Sequence, residues 1–376
     1  MDTSAQSGSK LLNSWKGWAG RKLTQDELNA LMTAHARFIL HHPQGRRLQL
    51  GSAHILGLNL SQRLLKEADF SGANLTGSNL SSANCEQANL FAANLCDCNL
   101  QSTNLRNADL RGISLRGANL SYSVLDGADM RSAFMVKVGG DSDGYAQLVP
   151  RGKDSTNGGV DFSNCSLKGT SMVQVTLKGA SFRNALLDGV NFKDSKFTDV
   201  CLEGAILTKM SVEELPFSPE ELKTCLLDPQ PDVVKRAPDL IEKLRLHELW
   251  YKTDGKDGAP ATLDGEDFRP LGKVFCGRQI TALVARNIIA AGVDFKGCEL
   301  QGANFDGADL RAAEFAGSDL RGASFRGAKL AHAGFKNADL RPLALAQGGA
   351  QTVDLTDAEY AATQFAGTAL AEGQLQ

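Results

Sequence analysis

Apolar residues recur at every fifth position in two long stretches of the chain, from about Leu48 to Leu207 and from Phe295 to Leu370. The residue two positions before each apolar residue is usually small, as in Ala68-Asp-Phe70 and Ala73-Asn-Leu75. A five-residue period fits neither an α-helix, with about 3.6 residues per turn, nor a strand, with a period of about two. Short repeats kept in phase predict a solenoid of stacked coils. Because the repeat uses nearly every position, an enzyme is not expected.

The segments outside the repeats carry helix-start signals. Thr24 and Glu27 form a capping box, which predicts a helix from there to about His41. Ser218-Pro-Glu-Glu221 is a second start signal, and a further helix is predicted from near Pro238 to about Tyr251. The pattern therefore predicts four segments: a helical head over 1–47, a first repeat array over 48–212, a helical connector over 213–262 and a second array over 263–376.

The two helical segments enter their arrays in the same way. In each, a histidine and an aromatic residue three positions later are followed by a glycine and then by the first apolar repeat residue. These residues are His35, Phe38, Gly45 and Leu50 in the head, and His247, Trp250, Gly258 and Leu263 in the connector. The similarity indicates an internal duplication in which a capping helix precedes each array. A solenoid needs such a cap because its first coil otherwise leaves an open edge.

The unit small–Asn/Asp–Leu/Phe–x–x, repeated over roughly two thirds of the chain, resembles the pentapeptide-repeat family. The resemblance implies an all-β solenoid, a right-handed quadrilateral β-helix, here in two blocks with short α-helical capping and connector segments. It further implies that the central Leu or Phe and the small residue two before it point inward. Four units then make one square coil, and the other three positions of each unit face solvent.

Residues twenty apart should stack in that geometry, and the sequence agrees. One inward column runs from Leu50 to Met130 and another from Ile55 to Met135. An outward column reads Lys66, Glu86, Arg106, Asp126, which is an alternating charge ladder. The second array alternates Phe and Leu from Phe295 to Phe335, which predicts two faces with Phe ladders and two with Leu ladders. Leu48, Leu58 and Arg63 occupy small-residue slots, so the first coil should be distorted or covered by the head helix.

The register breaks between Met135 and Phe162, where the spacing is not a multiple of five. The segment 136–159 is therefore predicted to be an extruded loop, and a weaker break follows at 341–349. Loops carry function more often than the scaffold that holds them. The candidate interaction residues of this loop are Tyr145, Leu148, Arg151 and Lys153.

Trp15 and Trp18 are further candidate interaction residues, because residues 10–22 place them on one helical face beside basic side chains. A short helix of this kind could bind a membrane surface or a partner protein. The alternative, which we favour, is that the tryptophans pack onto the first coil as part of its cap. Gly17 and Gly20 weaken a helix here.

Composition adds mainly exclusions. The formal net charge is −3, with 22% charged and 42% hydrophobic residues, so neither a nucleic-acid footprint nor an acidic mimic of one is indicated. The eight cysteines are scattered without a Cys-x-x-Cys motif, and Cys96 and Cys98 should point to opposite sides of the coil. No catalytic set, cofactor site or metal site is predicted. The N-terminal ten residues lack an apolar signal region, which predicts a cytoplasmic protein.

The sequence thus favours a non-enzymatic protein–protein interaction scaffold whose partner it does not identify. One alternative comes from the family resemblance: some pentapeptide-repeat proteins are DNA-mimic modulators of type II topoisomerases such as gyrase. The composition of residues 50–135 weakens that alternative, because this segment contains six basic and seven acidic residues and is therefore nearly neutral. A membrane-associated organiser acting through residues 10–22 is a third possibility. A homodimer through the last coil, 355–370, is plausible because no capping helix is evident there.

Overall fold

The structure is a computed structural model that describes residues 18–138, 146–151, 159–365 and 368. The chain forms two compact units, Met1–Asp228 and Pro229–Gln376. The boundary lies inside the predicted connector, so residues 213–228 belong to the first unit and 229–262 to the second.

The first unit is a stack of coils with a period of twenty residues. Parallel β-bridges join residues twenty apart and recur every five residues, as in Gln49–Asp69, His54–Asn74, Asn59–Asn79 and Leu64–Asn84. Four bridges per coil correspond to four sides. The inward positions are filled as predicted, because Phe70 and the preceding Ala68 are both fully buried. The Asn or Asp before each central residue stays at the surface, where it accepts the N–H two residues on, as Asn79 Oδ1 does from Ser81 at 3.0 Å.

The small inward position follows a rule that the five-residue pattern does not state. At most sites where this residue is Ser, Thr or Cys instead of Ala, its side chain donates to the carbonyl of the central residue of the coil below, whereas Ser123 donates to the Leu120 carbonyl of its own coil. Thr103 Oγ1 donates to the Leu80 carbonyl at 2.8 Å, and Cys298 Sγ donates to the Phe275 carbonyl at 2.8 Å. A hydroxyl or thiol is therefore tolerated in the core, because burial without a partner would be costly.

The helices of the first unit lie at its ends, one pair of strands lies at an interruption, and a second pair lies within the stack. They are α1 (Gln25–Ile39), β1 (Ala133–Val138), β2 (Ala146–Arg151), β3 (Thr176–Lys178), β4 (Lys196–Thr198), a 3-10 helix (Val212–Glu214) and α2 (Pro219–Leu222). Strands β3 and β4 pair in parallel and continue one side of the stack. At the C-terminal end, Phe217 packs against Phe192 and Phe197, at ring-centroid distances of 5.4 and 5.0 Å. Part of the predicted connector thus covers the end of the first array.

The second unit repeats this plan. Its elements are α3 (Pro231–Lys235), α4 (Ala237–Lys252), a 3-10 helix (Arg269–Leu271), β5 (Leu343–Ala344), β6 (Ala350–Gln351) and a 3-10 helix (Ala362–Phe365). The predicted Phe ladders are present: Phe315 stacks between Phe295 and Phe335, with ring centroids 5.0 and 5.2 Å away. Phe365 extends this column, 4.7 Å from Phe335. The C-terminal coil therefore has a short helix stacked on it, where the sequence indicated no cap.

The first coil of each unit lies under a helix, and the two arrangements match. In the first unit, the N–H of Arg46 donates to the carbonyl of Ala34, the residue before His35. In the second, the N–H of Ala259 donates to the carbonyl of Leu246, the residue before His247. These equivalent hydrogen bonds support the duplication inferred from the sequence. Leu48, in a small-residue slot, is bonded to the covering helix, because its N–H donates to His35 of α1.

The charge ladder is present as two ion pairs: Lys66 Nζ lies 3.3 Å from Glu86 Oε1, and Arg106 Nη2 lies 3.3 Å from Asp126 Oδ2. The inward column from Ile55 ends earlier than predicted. Met135 was expected to continue it, but its backbone belongs to strand β1 and pairs with Val149. Six antiparallel residue pairs provide hydrogen-bond partners for this segment, which explains why it leaves the coil.

Candidate interaction surface

The largest interruption of the first unit is a β-hairpin. Strands β1 and β2 pair antiparallel from Ala133–Arg151 to Val138–Ala146. The hairpin therefore begins three residues before the predicted loop 136–159 and is regular where an extruded loop was expected. Ala133-Phe-Met135 reads as an ordinary repeat unit, so the five-residue pattern alone could not locate the start of the hairpin.

The hairpin replaces one side of one coil without disturbing the stack. On that side, the bridges run from Lys22–His54 to Asn94–Ser114 and resume at Thr176–Lys196. On the next side, Asn119 bridges Asp161, which is 42 residues away instead of the usual twenty. Twenty-two residues are thus inserted between Asn119 and Asp161. The coils above and below still bond, with Leu120 N–H donating to the Asp161 carbonyl at 2.7 Å.

The structure brings together only some of the predicted interaction residues. Leu148 and Arg151 lie in β2, where their backbones pair with Val136 and Ala133. Three further candidates lie outside the described residues: Tyr145, Lys153 and Trp15.

Trp18 is only 3% exposed and belongs to the core of the first unit. The Arg21 guanidinium lies over its ring, 4.6 Å from the centroid. This burial agrees with the alternative in which the tryptophan packs onto the first coil. The Trp18 ring is thereby taken up by packing within the chain.

The surface at the root of the hairpin is charged but internally neutralised. Arg131 makes a two-pronged contact with Asp129, with Nη2 to Oδ2 at 2.6 Å, and Arg111 makes the same contact with Asp109. Arg111 Nε also lies 3.8 Å from Asp129. Partial burial opposes ionisation of Asp129, but the hydrogen bonds and charge of Arg131 outweigh it and hold the pKa of the carboxyl below its usual value. Both carboxylates are paired with arginines, which is unlike an exposed acidic surface that imitates DNA.

The second unit carries its own hairpin, at the weaker break that the sequence indicated. Strands β5 and β6 pair antiparallel, and Ser324 bridges Asp354, ten residues further than the period requires. Gln351 Nε2 donates to the Gly322 carbonyl at 2.6 Å, so the hairpin is bonded to the preceding coil. Leu345 at its tip is exposed. No residue here was singled out in advance, although the lost register marked the position.

Over the described parts of the chain, no group of three His, Cys, Asp or Glu side chains could hold a metal ion. A cleft of about 850 Å³ in the second unit is lined by residues 350–358 together with Ser324 and Tyr360. Within the same described residues, no helix combines the length and apolar character that crossing a bilayer would require.

Comparison with known proteins agrees with the repeat geometry. The model of the pentapeptide-repeat family matches this chain in eight copies, and the matched residues include 59–97, 68–107, 98–135, 158–194, 170–208, 291–327 and 308–341. Stacked coils built from five-residue units define a class of repeat solenoid. The chain belongs to the pentapeptide-repeat family, for which no catalytic activity is indicated.

Several solved structures are similar to parts of the chain. A pentapeptide-repeat protein from the thylakoid lumen of Arabidopsis thaliana is 21% identical over 32% of this chain, with a TM-score of 0.21. This chain spans 66% of the length of that protein. Rfr23 from the cyanobacterium Cyanothece is 20% identical, over 45% of this chain and 97% of its own, with a TM-score of 0.25. QnrB1, a plasmid-mediated fluoroquinolone resistance protein, is 14% identical over 83% of this chain and 91% of its own, with a TM-score of 0.18. No curated protein matches the chain. The low TM-scores leave the family assignment resting on the repeats themselves.

Proposed function

We propose that this protein is a non-enzymatic scaffold that binds a partner protein through the β1–β2 hairpin. The observation that carries the proposal is the insertion of a paired hairpin on one side of a coil whose three other sides remain bridged to the neighbouring coils. A stack of coils that holds a hairpin suits recognition of another protein, since binding residues are concentrated on loops that a scaffold holds in place. Leu148 and Arg151 are the proposed contact residues for which the backbone pairing is described.

The proposal includes the finer features that the family resemblance implies. We take the coils to be right-handed and square in section, in two blocks preceded by helical caps. The cytoplasm remains the proposed compartment, because all eight cysteines are free and a reducing environment preserves thiols. Modulation of a type II topoisomerase by DNA mimicry is the less favoured alternative, since the carboxylates beside the hairpin are neutralised by arginines.

The period of the stack provides a clean test. Deleting the 22 residues 136–157 would join Met135 to Gly158 and restore the regular twenty-residue spacing between Asn119 and Asp161. Ala133-Phe-Met135-Gly158-Gly159 would then form an ordinary unit. The matched control deletes residues 71–90, which is one whole coil of twenty, and leaves the hairpin in place.

Both variants and the wild-type protein would serve as baits in a lysate of the source cell, with type II topoisomerase subunits scored separately. We expect one partner to be captured by the wild type and the coil deletion but lost with the hairpin deletion. Capture of the same proteins by all three baits would refute the hairpin as the contact site. Loss of a topoisomerase with the hairpin would favour the alternative.

A further inference from the structure

Each unit contains one buried histidine on the helix that covers its first coil. His35 on α1 is 0% exposed, and His247 on α4 is 1% exposed. His35 Nδ1 accepts a hydrogen bond from the backbone N–H of Leu48 at 3.0 Å. His247 Nδ1 accepts one from the N–H of Ala261, also at 3.0 Å. Both partners lie two residues before the first central residue of the array, so the two histidines hold the same position in the fold.

These contacts fix the protonation state of each ring. A backbone N–H is only a donor, so Nδ1 must carry a lone pair, and the neutral ring then carries its proton on Nε2. His247 Nε2 accordingly donates to the Thr281 carbonyl at 2.9 Å. The Lys66 carbonyl is the corresponding group near His35, although His35 Nε2 has no partner in hydrogen-bond geometry among the described residues. A proton added to Nδ1 would set two donors against each other at a fully buried site.

The charged groups around the two rings act in both directions. Burial lowers the pKa of His35 most strongly; the nearby Arg47 lowers it further, and Glu67 on the first coil raises it. Burial likewise lowers the pKa of His247, while the Thr281 carbonyl and Glu248 on the same helix raise it. Glu248 is itself paired with Arg278 of the first coil at 2.9 Å. The net direction is downward for both imidazoles.

We propose that His35 and His247 are matching acid-sensitive latches, and that protonation of Nδ1 releases each covering helix from its solenoid. Release breaks the bond to the N–H of Leu48 or Ala261 and leaves the first coil with an open edge. Open edges of this kind pair with other strands. The device makes access to the N-terminal end of each unit dependent on pH.

Proton linkage determines the direction in which the stability of the docked helix changes with pH. The released or unfolded state binds a proton with a pKa near the ordinary value of about 6.5, while the docked state binds it only at lower pH. The stability supplied by each latch is fully present above about pH 6.5. It declines as the pH falls toward the depressed pKa, with a change of about tenfold in the opening equilibrium per pH unit.

Hydrogen exchange read by mass spectrometry tests the proposal on the full chain. Protection factors, which correct for the intrinsic effect of pH, would be measured for amides of α1 and α4 between about pH 7 and 5.5. We expect them to fall about tenfold per pH unit below about 6.5. His35→Asn and His247→Asn keep an oxygen acceptor near the Nδ1 position but do not titrate, so each should abolish the decline in its own helix. His42→Asn, at an exposed position, should leave both declines unchanged.

Nitrogen NMR of the wild-type imidazoles provides a test that needs no variant. We expect both buried rings to be neutral with the proton on Nε2 at pH 7, and to titrate below about 6.5. Titration of either ring at or above that value would overturn the proposal for its helix. Protection factors that do not change with pH, or that decline equally in the Asn variants, would also overturn it.

Discussion

Replacing Phe315 by alanine would remove the central ring of the longest aromatic column in the second unit. The ring is fully buried and stacks almost parallel between Phe295 and Phe335, at centroid distances of 5.0 and 5.2 Å. It also meets Phe305 and Phe325 from the opposite side at 6.1 and 5.9 Å. The coils above and below are bonded on every side, so the surrounding backbone has little freedom to close the space.

The expected loss of unfolding free energy is at the upper part of the range for Phe→Ala, about 4–5 kcal/mol, since the cavity cannot collapse. Phe315→Leu should cost only about 1–2 kcal/mol, because leucine already fills the neighbouring central slots Leu310 and Leu320. Phe365→Ala is the matched control. That ring contacts Phe335 on one side only and Tyr360 at its edge, and an end coil can rearrange, so about 1–3 kcal/mol is expected.

Urea unfolding followed by hydrogen exchange in peptides from residues 280–340 would measure these losses within the second unit. Peptides from the first unit provide the internal reference, because each coil contacts only its neighbours. A cost for Phe365→Ala equal to that for Phe315→Ala would refute the reasoning that enclosure between coils, rather than ring size, sets the penalty.

Three further outcomes can be checked, two on substituted proteins and one on the wild type. Gly322→Ala should loosen the hairpin of residues 343–351, since a Cβ there would lie 2.8 Å from Leu343 Cβ. Gly317→Ala adds a Cβ at a similar φ with no atom within 4 Å, so it should leave the hairpin unchanged. Hydrogen-exchange rates of the hairpin amides would measure the difference between the two variants. Thr103→Val should cost about 1 kcal/mol in urea unfolding through its lost hydrogen bond, and no loss would contradict the rule for the inward position. Iodoacetamide should modify the exposed Cys276 in the native protein. It should spare four buried thiols, because burial raises the pKa of each to about 12: Cys85, Cys98, Cys165 and Cys298. Modification of any of these four would show that the coils open.

The stacked coils could be predicted from the sequence because the repeat determines burial directly. Phe70 and Leu75 are inward because each lies five residues from the next apolar position, and the bridges then follow from the twenty-residue coil. The ladder from Lys66 to Asp126 was predictable for the same reason. The helices were also accessible, since the capping box at Thr24 fixes the start of α1.

The interruptions were only partly predictable, because local pattern and long-range pairing compete there. Met135 fits the repeat, but pairing across the hairpin outweighs that fit and takes the segment out of the coil. The covering role of Phe217 was hidden because it depends on contacts with Phe192 and Phe197, which lie in the array. The hydrogen bonds of His35 and His247 were likewise not readable from spacing, although their equivalent positions were.

The two hairpins interrupt the coils by different lengths, 22 and ten residues, yet the bridges resume in register after each. The stack therefore accepts insertions of different length, provided that the chain returns to the position of the next bridge. New segments could be added at such positions during evolution without a change in the core. The fold can thus carry different inserted segments on one core, and foreign peptides grafted in place of residues 136–157 would be displayed at a fixed site.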